Sequence, residues 1–317
     1  MNQQKSLAKE EFATSHHEKP QVEEVLSTDV RKEDLAEAYT DEYGVKLSSD
    51  RKRLLKAPRD LEHYTVPYGV KVICDKAFSG DWISTPDLKS ITLPEGLTSI
   101  GNRAFKDCSS LTTIKLPESL KSIGDDAFYF CKSLTEIKLP ESLTSIGNSA
   151  FHLCESLTEI KLPEGLTSIG DHAFGGCSSL TEIKLPEGLT SIGDEAFSCC
   201  KSLTAIKLPE GLTSIGNEAF YHCERLTAIK LPEGLTSIGN KAFYECTSLT
   251  AIKLPEGLRS IGKSAFSHCK SLTEIKLSEG LTSVGNYAFL KCTSLSTTTR
   301  DEIKRRFGDR VLTSSSS

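Results

Sequence analysis

An α/β repeat fold, a solenoid of stacked 23-residue coils, is predicted by three features of this 317-residue chain. The first is a strict period: the motif A-F-x-x-C sets phenylalanine at Phe105, Phe128, Phe151, Phe174, Phe197, Phe220, Phe243, Phe266 and Phe289, always 23 residues apart. The second is the spacing L-x-x-I-x-L in each period, as at Leu180, Ile183 and Leu185, which suits a short strand with one buried face. The third is that one unit cannot hide its own apolar positions, whereas stacked units share a continuous core. A divergent tenth copy ends at Phe78, 27 residues before Phe105, so four residues are inserted around 81–86, and the single tryptophan, Trp82, lies there.

Taken in order, residues 1–26 are polar and expected to be disordered. Residues 27–60 form an N-terminal cap, since a bare solenoid end exposes sheet edges and core. Within it a short helix is expected over 29–39, and segments 45–47 and 53–56 flank the polar turn 48–52 as a hairpin. The array then runs over 61–295. Its first unit aligns Leu61, Tyr64, Val66, Pro67, Val70, Ile73, Ala77 and Phe78 with the later copies and has Cys74 where they have glycine.

In the unit 179–200, Ile183 points inward while Glu182 and Lys184 point outward, because neighbouring strand residues alternate faces. Pro186 lacks an N–H and ends the strand. A second extended piece, 189–192, buries Leu189 and Ile192, and Gly193 permits a turn. An Asn or Asp follows that glycine at Asn102, Asp125, Asn148, Asp171, Asp194, Asn217, Asn240 and Asn286, with Lys263 the one break. Its place predicts the N-cap of a short helical turn carrying Ala-Phe-x-x-Cys. At 296–317 the chain reads as a capping helix over 301–307, preceded by threonines 297–299, and a loose tail from 313.

The full pattern L-T-x-I-x-L-P-E-G-L-T-S-I-G-x-x-A-F-x-x-C resembles the BspA-like, treponemal class of bacterial leucine-rich repeats over about 61–295. The resemblance implies a right-handed solenoid with a parallel β-sheet. It also implies partner binding, often as adhesins on anaerobic bacteria, with relatives in parasitic protists, and it supplies no catalytic residue.

Composition narrows the function. With 38 Lys plus Arg against 43 Asp plus Glu the net charge is −5, so nucleic acid is not an expected partner. No apolar run is long enough to span a bilayer and the first twenty residues lack the apolar core of a secretory signal, so membrane insertion is not expected and a cytoplasmic location is. The resemblance supports the alternative of a surface or secreted protein exported by a non-classical route. Eleven cysteines, an odd number with no export signal, are expected to be reduced. Nine form a column, one per coil, at about 5 Å spacing with their Cβ atoms aimed the same way, which favours buried thiols over disulfides or metal. Cys199 lies outside the column at a variable position and is a candidate for reactivity. His152, His172, His222 and His268 fall on different coils and read as surface residues rather than ligands. Nucleophile-elbow, phosphate-loop, dinucleotide and zinc-protease motifs do not occur, so no catalytic residue, cofactor or metal is expected.

What remains is surface. Lys115, Lys138, Lys161, Lys184, Lys207, Lys230, Lys253 and Lys276 form one outward column, and glutamates three residues later form another that offsets it. Two residues before each lysine the column runs Thr113, Glu136, Glu159, Glu182, Ala205, Ala228, Ala251, Glu274. The alanines leave a shallow floor beside Lys207, Lys230 and Lys253 where charge is less balanced, the first candidate partner site. The second is the variable pair after each phenylalanine, with Tyr129, Phe130, Tyr221, His222 and Tyr244 as anchors. The reading is a monomeric, non-catalytic interaction or adhesion module for an extended or repetitive protein or polymer, the alternative being an intracellular scaffold or delivered effector.

Overall fold

The computed structural model describes residues 25–80 and 85–313 and is a parallel β-solenoid with 23 residues per coil. The expectations for residues 1–24, for the insertion with Trp82 and for the end of the tail lie outside the described residues. The front of each coil is a three-residue strand, beginning with His63–Thr65 and ending with Glu274–Lys276, and the ten strands form one parallel sheet in chain order. In the eight coils from Thr113–Lys115 onward each strand is exposed, buried, exposed, so one isoleucine enters the core and two side chains face out. Register is the repeat itself: Glu136, Glu159 and Glu182 are successive partners, as are Lys138, Lys161 and Lys184.

After the proline turn a two-residue strand, Ser191–Ile192 in the unit described above, joins a second parallel ladder. That ladder breaks once, between Ser145–Ile146 and Ser168–Ile169. The N-terminal cap comprises helix Lys32–Ala36 and strands Tyr39–Thr40, Lys46–Leu47 and Arg53–Lys56. The last of these pairs in parallel with Val72–Ile73, so the cap extends the second ladder and not the front sheet.

Ten phenylalanines, Phe78 to Phe289, stack along the axis with successive ring centroids 5.1 Å apart at the first pair and at most 5.7 Å, their planes nearly parallel throughout. Beside each ring from Phe105 onward a cysteine is shielded, and its thiol donates to the carbonyl of the phenylalanine one coil earlier, as from Cys223 to Phe197 at 3.2 Å. All nine column thiols do this, from Cys108 to Phe78 through Cys292 to Phe266. Burial pushes these thiols up, Cys177 and Cys292 to about 12, so they remain protonated donors.

The third side differs from the helical turn expected there. The Ala-Phe-x-x-Cys segments are runs of turns with two left-handed residues per coil, such as Glu218 and His222. A helix would spend its N–H groups on its own turn; here Glu218, Phe220 and His222 donate to Asn240, Ala242 and Tyr244 of the next coil, each at 2.8 Å. The Asn/Asp column is accordingly not an N-cap. From Asn102 to Asn240 each side chain accepts from the backbone N–H of the same column one coil on, as Asn240 N to Asn217 Oδ1 at 2.8 Å and Asp194 N to Asp171 Oδ1 at 2.8 Å, while Asn286 in the last coil accepts from Arg310 Nη1 at 3.2 Å. Lys263 still donates its N–H, to Asn240 at 2.7 Å. Asn217→Ala should therefore leave the Asn240 amide without an acceptor and lower stability by about 1–2 kcal/mol in a urea melt.

The glycine column also serves a different purpose from the one expected. Gly193 has no positive φ; a Cβ there would lie 2.6 Å from Asp171 Oδ1 and 2.7 Å from the backbone of the preceding coil. Glycine permits close approach of coils. Cys74 is accommodated in this column because it has the cap, not a coil, on its outer side, packed with Leu55 and Val72.

At the far end the helix is Thr297–Phe307, beginning before the 301–307 span expected, because Ser296 Oγ accepts from Thr299 N and moves the start forward. Its arginines replace the missing next coil: Arg300 donates to the carbonyls of Cys292, Thr293 and Leu295, and Arg306 to those of Ser278 and Leu281. The one-turn helix Asp309–Val311 completes the outer ladder, receiving the N–H groups of Tyr287 and Phe289.

Candidate functional site

The front sheet sets Lys207, Lys230 and Lys253 in one exposed column and Ala205, Ala228 and Ala251 in register beside it, because both positions flank the buried isoleucine of the same strand. Each lysine is ion-paired, to Glu187 at 2.5 Å, Glu210 at 2.8 Å and Glu233 at 3.4 Å. The partner is the glutamate 20 residues earlier, on the preceding coil, rather than the one three residues later; Lys138, Lys161 and Lys184 pair the same way. The hydrogen bond from Lys230 holds the Glu210 carboxyl below the usual range and raises the lysine in turn.

These pairs correct the expectation of unbalanced charge beside the alanines. With lysine and turn glutamate neutralising one another, the imbalance falls on Glu136, Glu159 and Glu182, which make no ion pair among the described residues. A shallow trough of about 860 Å³ runs over the four strands from Thr113–Lys115 to Glu182–Lys184, floored by Ile114, Ile137 and Ile160. The front face is thus zoned: threonine, serine and histidine on the first strands, unpaired carboxylates in the middle, and a flat alanine zone of paired charges beyond. Per-strand counting of Glu against Lys carries this zoning in the sequence, once pairing between coils is allowed for.

The second candidate face resolves into two separate clusters. Tyr129 and Phe130 lie 6.3 Å apart, Tyr129 stacks on His152 at 5.4 Å, and Lys106 and Lys132 sit over the two rings. Tyr221 stacks on Tyr244 at 5.1 Å and meets His222 edge-on at 4.3 Å. Gly175 and Gly176 occupy the same positions on a coil between the clusters, so the two groups are not brought together. All five anchors are half-buried against their neighbours on adjacent coils, which leaves the front sheet as the more open surface.

The histidines are less exposed than their spacing predicts. His152 rests on Gly175, where no side chain competes; its Nδ1 is buried without a partner, and burial lowers its pKa. His222 lies between Glu224 at 3.6 Å and Glu245 at 3.3 Å. No group of three or more metal-ligating side chains converges among the described residues. Cys199 is half-buried, with Sγ 3.8 Å from Ser198 Oγ. No helix among the described residues is long and apolar enough to cross a membrane.

Comparison with known proteins agrees with this geometry. The family described as BspA type Leucine rich repeat region matches residues 52–154, 82–204 and 190–317. Among solved structures, the chain is similar to a leucine rich cell surface protein from Faecalibacterium prausnitzii, with 29% identity over 85% of this chain and 83% of that one and a TM-score of 0.60. It is also similar to a leucine-rich repeat protein from Bacteroides ovatus, at 25% identity over 87% and 96% of the two chains with a TM-score of 0.41. The Leucine Rich Repeat protein of T. pallidum matches at 22% identity over 84% and 93%, with a TM-score of 0.45. No curated protein matches the chain.

Proposed function

Because this chain belongs to the BspA type leucine-rich repeat family, we propose that it is a non-catalytic interaction or adhesion module whose partner lies along the front sheet. The observation that carries this reading is the in-register repetition of that face: coils from Ala205 to Lys253 offer the same alanine, isoleucine and lysine at every strand step of about 4.8 Å. A partner that is extended or itself repetitive meets the same weak contact many times, and linked weak contacts multiply into avidity. A compact epitope would instead call for one differentiated patch. The similar Faecalibacterium protein is a cell surface protein, which supports a place on the outside of a cell.

The site within that face is Lys207, Lys230 and Lys253 with the floor Ala205, Ala228 and Ala251. An acidic partner competes for the lysines with glutamates already in place, which suits readily reversible binding. Lys207→Glu, Lys230→Glu and Lys253→Glu together should cut capture of surface-extract proteins by the immobilised chain by about tenfold or more. Lysine-reactive cross-links to the captured protein should concentrate on this column. Undiminished capture, or cross-links confined to Lys106, Lys132 and Lys241 by the aromatic clusters, overturns the assignment.

A further inference from the structure

The two ends of the front sheet are treated differently. At the C-terminal end, helix Thr297–Phe307 packs on the last strand. At the N-terminal end the cap pairs with the second ladder, so strand His63–Thr65 is the outer edge of the front sheet. Its backbone phase is set by Ser90 N to Glu62 O and Val66 N to Thr92 O. Those bonds turn the polar groups of Glu62, Tyr64 and Val66 toward the next strand and leave those of His63 and Thr65 facing away from the sheet, where no strand pairs with them among the described residues.

An open edge of this kind is a template for another strand, and proteins guard such edges with charge, lysine above all. Here the lysine guard is missing from the edge strand itself, and the Glu62 charge beside it is taken up by Lys89 at 2.7 Å. The eight strands from Thr113–Lys115 to Glu274–Lys276 end in lysine, whereas the edge strand ends in Thr65 and its neighbour in Thr92. The same substitution pattern continues in the turn. Tyr68, 91% exposed, stands in the column where the later coils carry Glu95, Glu118 and Glu141. The exposed large apolar and aromatic side chains among the described residues, Val25, Leu35, Tyr39, Tyr43 and Tyr68, all lie at this end of the rod.

We propose that the N-terminal end is a self-association surface, on which strand His63–Thr65 of one copy pairs antiparallel with the same strand of a second copy across a two-fold axis. A two-fold places like against like, so a lysine-bearing edge would repel its mate, while Thr65 and Thr92 bring no charge. Antiparallel pairing makes each outward N–H meet an outward C=O, so one strand suffices as both donor and acceptor. An axis normal to the sheet keeps both front faces on the same side and joins them into one surface of twice the length. The monomer expected from sequence is replaced by this dimer, and the proposal stands whether or not the front face binds the partner described above.

Sedimentation equilibrium and small-angle scattering on the full chain test it. The expected mass rises with concentration from 34.6 kDa to twice that, with a maximum dimension near double. Thr65→Lys with Tyr68→Glu restores at the edge what the array uses elsewhere, and should raise the dimer dissociation constant by about tenfold or more. Thr65→Pro, which removes an outward N–H, should do the same. In the unmutated protein, hydrogen exchange at the His63 and Thr65 amides should slow as the dimer forms. A monomer at every concentration overturns the proposal, as does a dimer indifferent to these variants. Amides of His63 and Thr65 already protected in the monomer would place another segment on the edge, and overturn it too.

Discussion

Gly239→Ala should collapse the stability of the rod by about 4 kcal/mol or more, a loss at the far end of what single substitutions do. The added Cβ would sit 2.5 Å from Gly216 O and 2.6 Å from Asn217 N, both backbone atoms of the preceding coil. Backbone cannot swing aside as a side-chain tip can. Separating the coils to make room would stretch the bonds from Gly239 N to Ile215 O at 3.0 Å and from Asn240 N to Asn217 Oδ1 at 2.8 Å. Gly234→Ala, in the same coil, is the control. Its Cβ would meet nothing nearer than 3.7 Å and its φ is not positive, so it should be neutral or slightly stabilising. The chain already carries Ser119 and Ser142 in that column. Urea melts of the two variants, compared by midpoint, decide the matter; similar losses in both would mean that the coils do not approach as described.

Phe220→Ala should cost about 3–5 kcal/mol, the range for emptying a large aromatic site in a packed core. The ring lies 5.5 Å from Phe197 and 5.3 Å from Phe243, so its removal breaks two stacking contacts and opens a void that neither neighbour can fill without leaving its own partner. In a linear array each coil is held by the coils beside it, so the damage is to coupling as well as to stability. The single unfolding transition of the parent should split in two as the blocks on either side melt separately. Calorimetry would show two peaks; one sharp peak at an unchanged temperature contradicts a shared aromatic stack.

The parts of this structure that were legible in the sequence are those whose signal lies within one unit. Leu180, Ile183 and Leu185 alternate with Glu182 and Lys184, and the strand follows from that alternation. Pro186 ends it, and the Ala-Phe-x-x-Cys core positions are all buried. The features that differ from expectation depend on the neighbouring unit. Asn217 before a turn looks like a local cap, yet its acceptor serves Asn240, 23 residues on. Gly193 looks like a turn residue, yet its constraint is the backbone of the preceding coil. Glu187 seems to answer Lys184 in its own unit, yet it pairs with Lys207. Local spacing is the same in either case; only the stacking offset of the coils decides between them. The candidate site shares this limit: the columns of Lys207, Lys230 and Lys253 and of their alanines follow from the period, but their charge balance does not.

The sulfur ladder has a consequence for where such a rod can work. Thiolate is the form that attacks peroxides and exchanges with disulfides, and it needs contact with the reagent. Each column sulfhydryl is engaged by a phenylalanine carbonyl, walled off by rings and kept in its unreactive form. The nine cysteines of this ladder can therefore stand in air-exposed, extracellular surroundings without cross-linking, so long as the coils stay shut, and Cys199, half-buried outside the ladder, is the thiol left to chemistry.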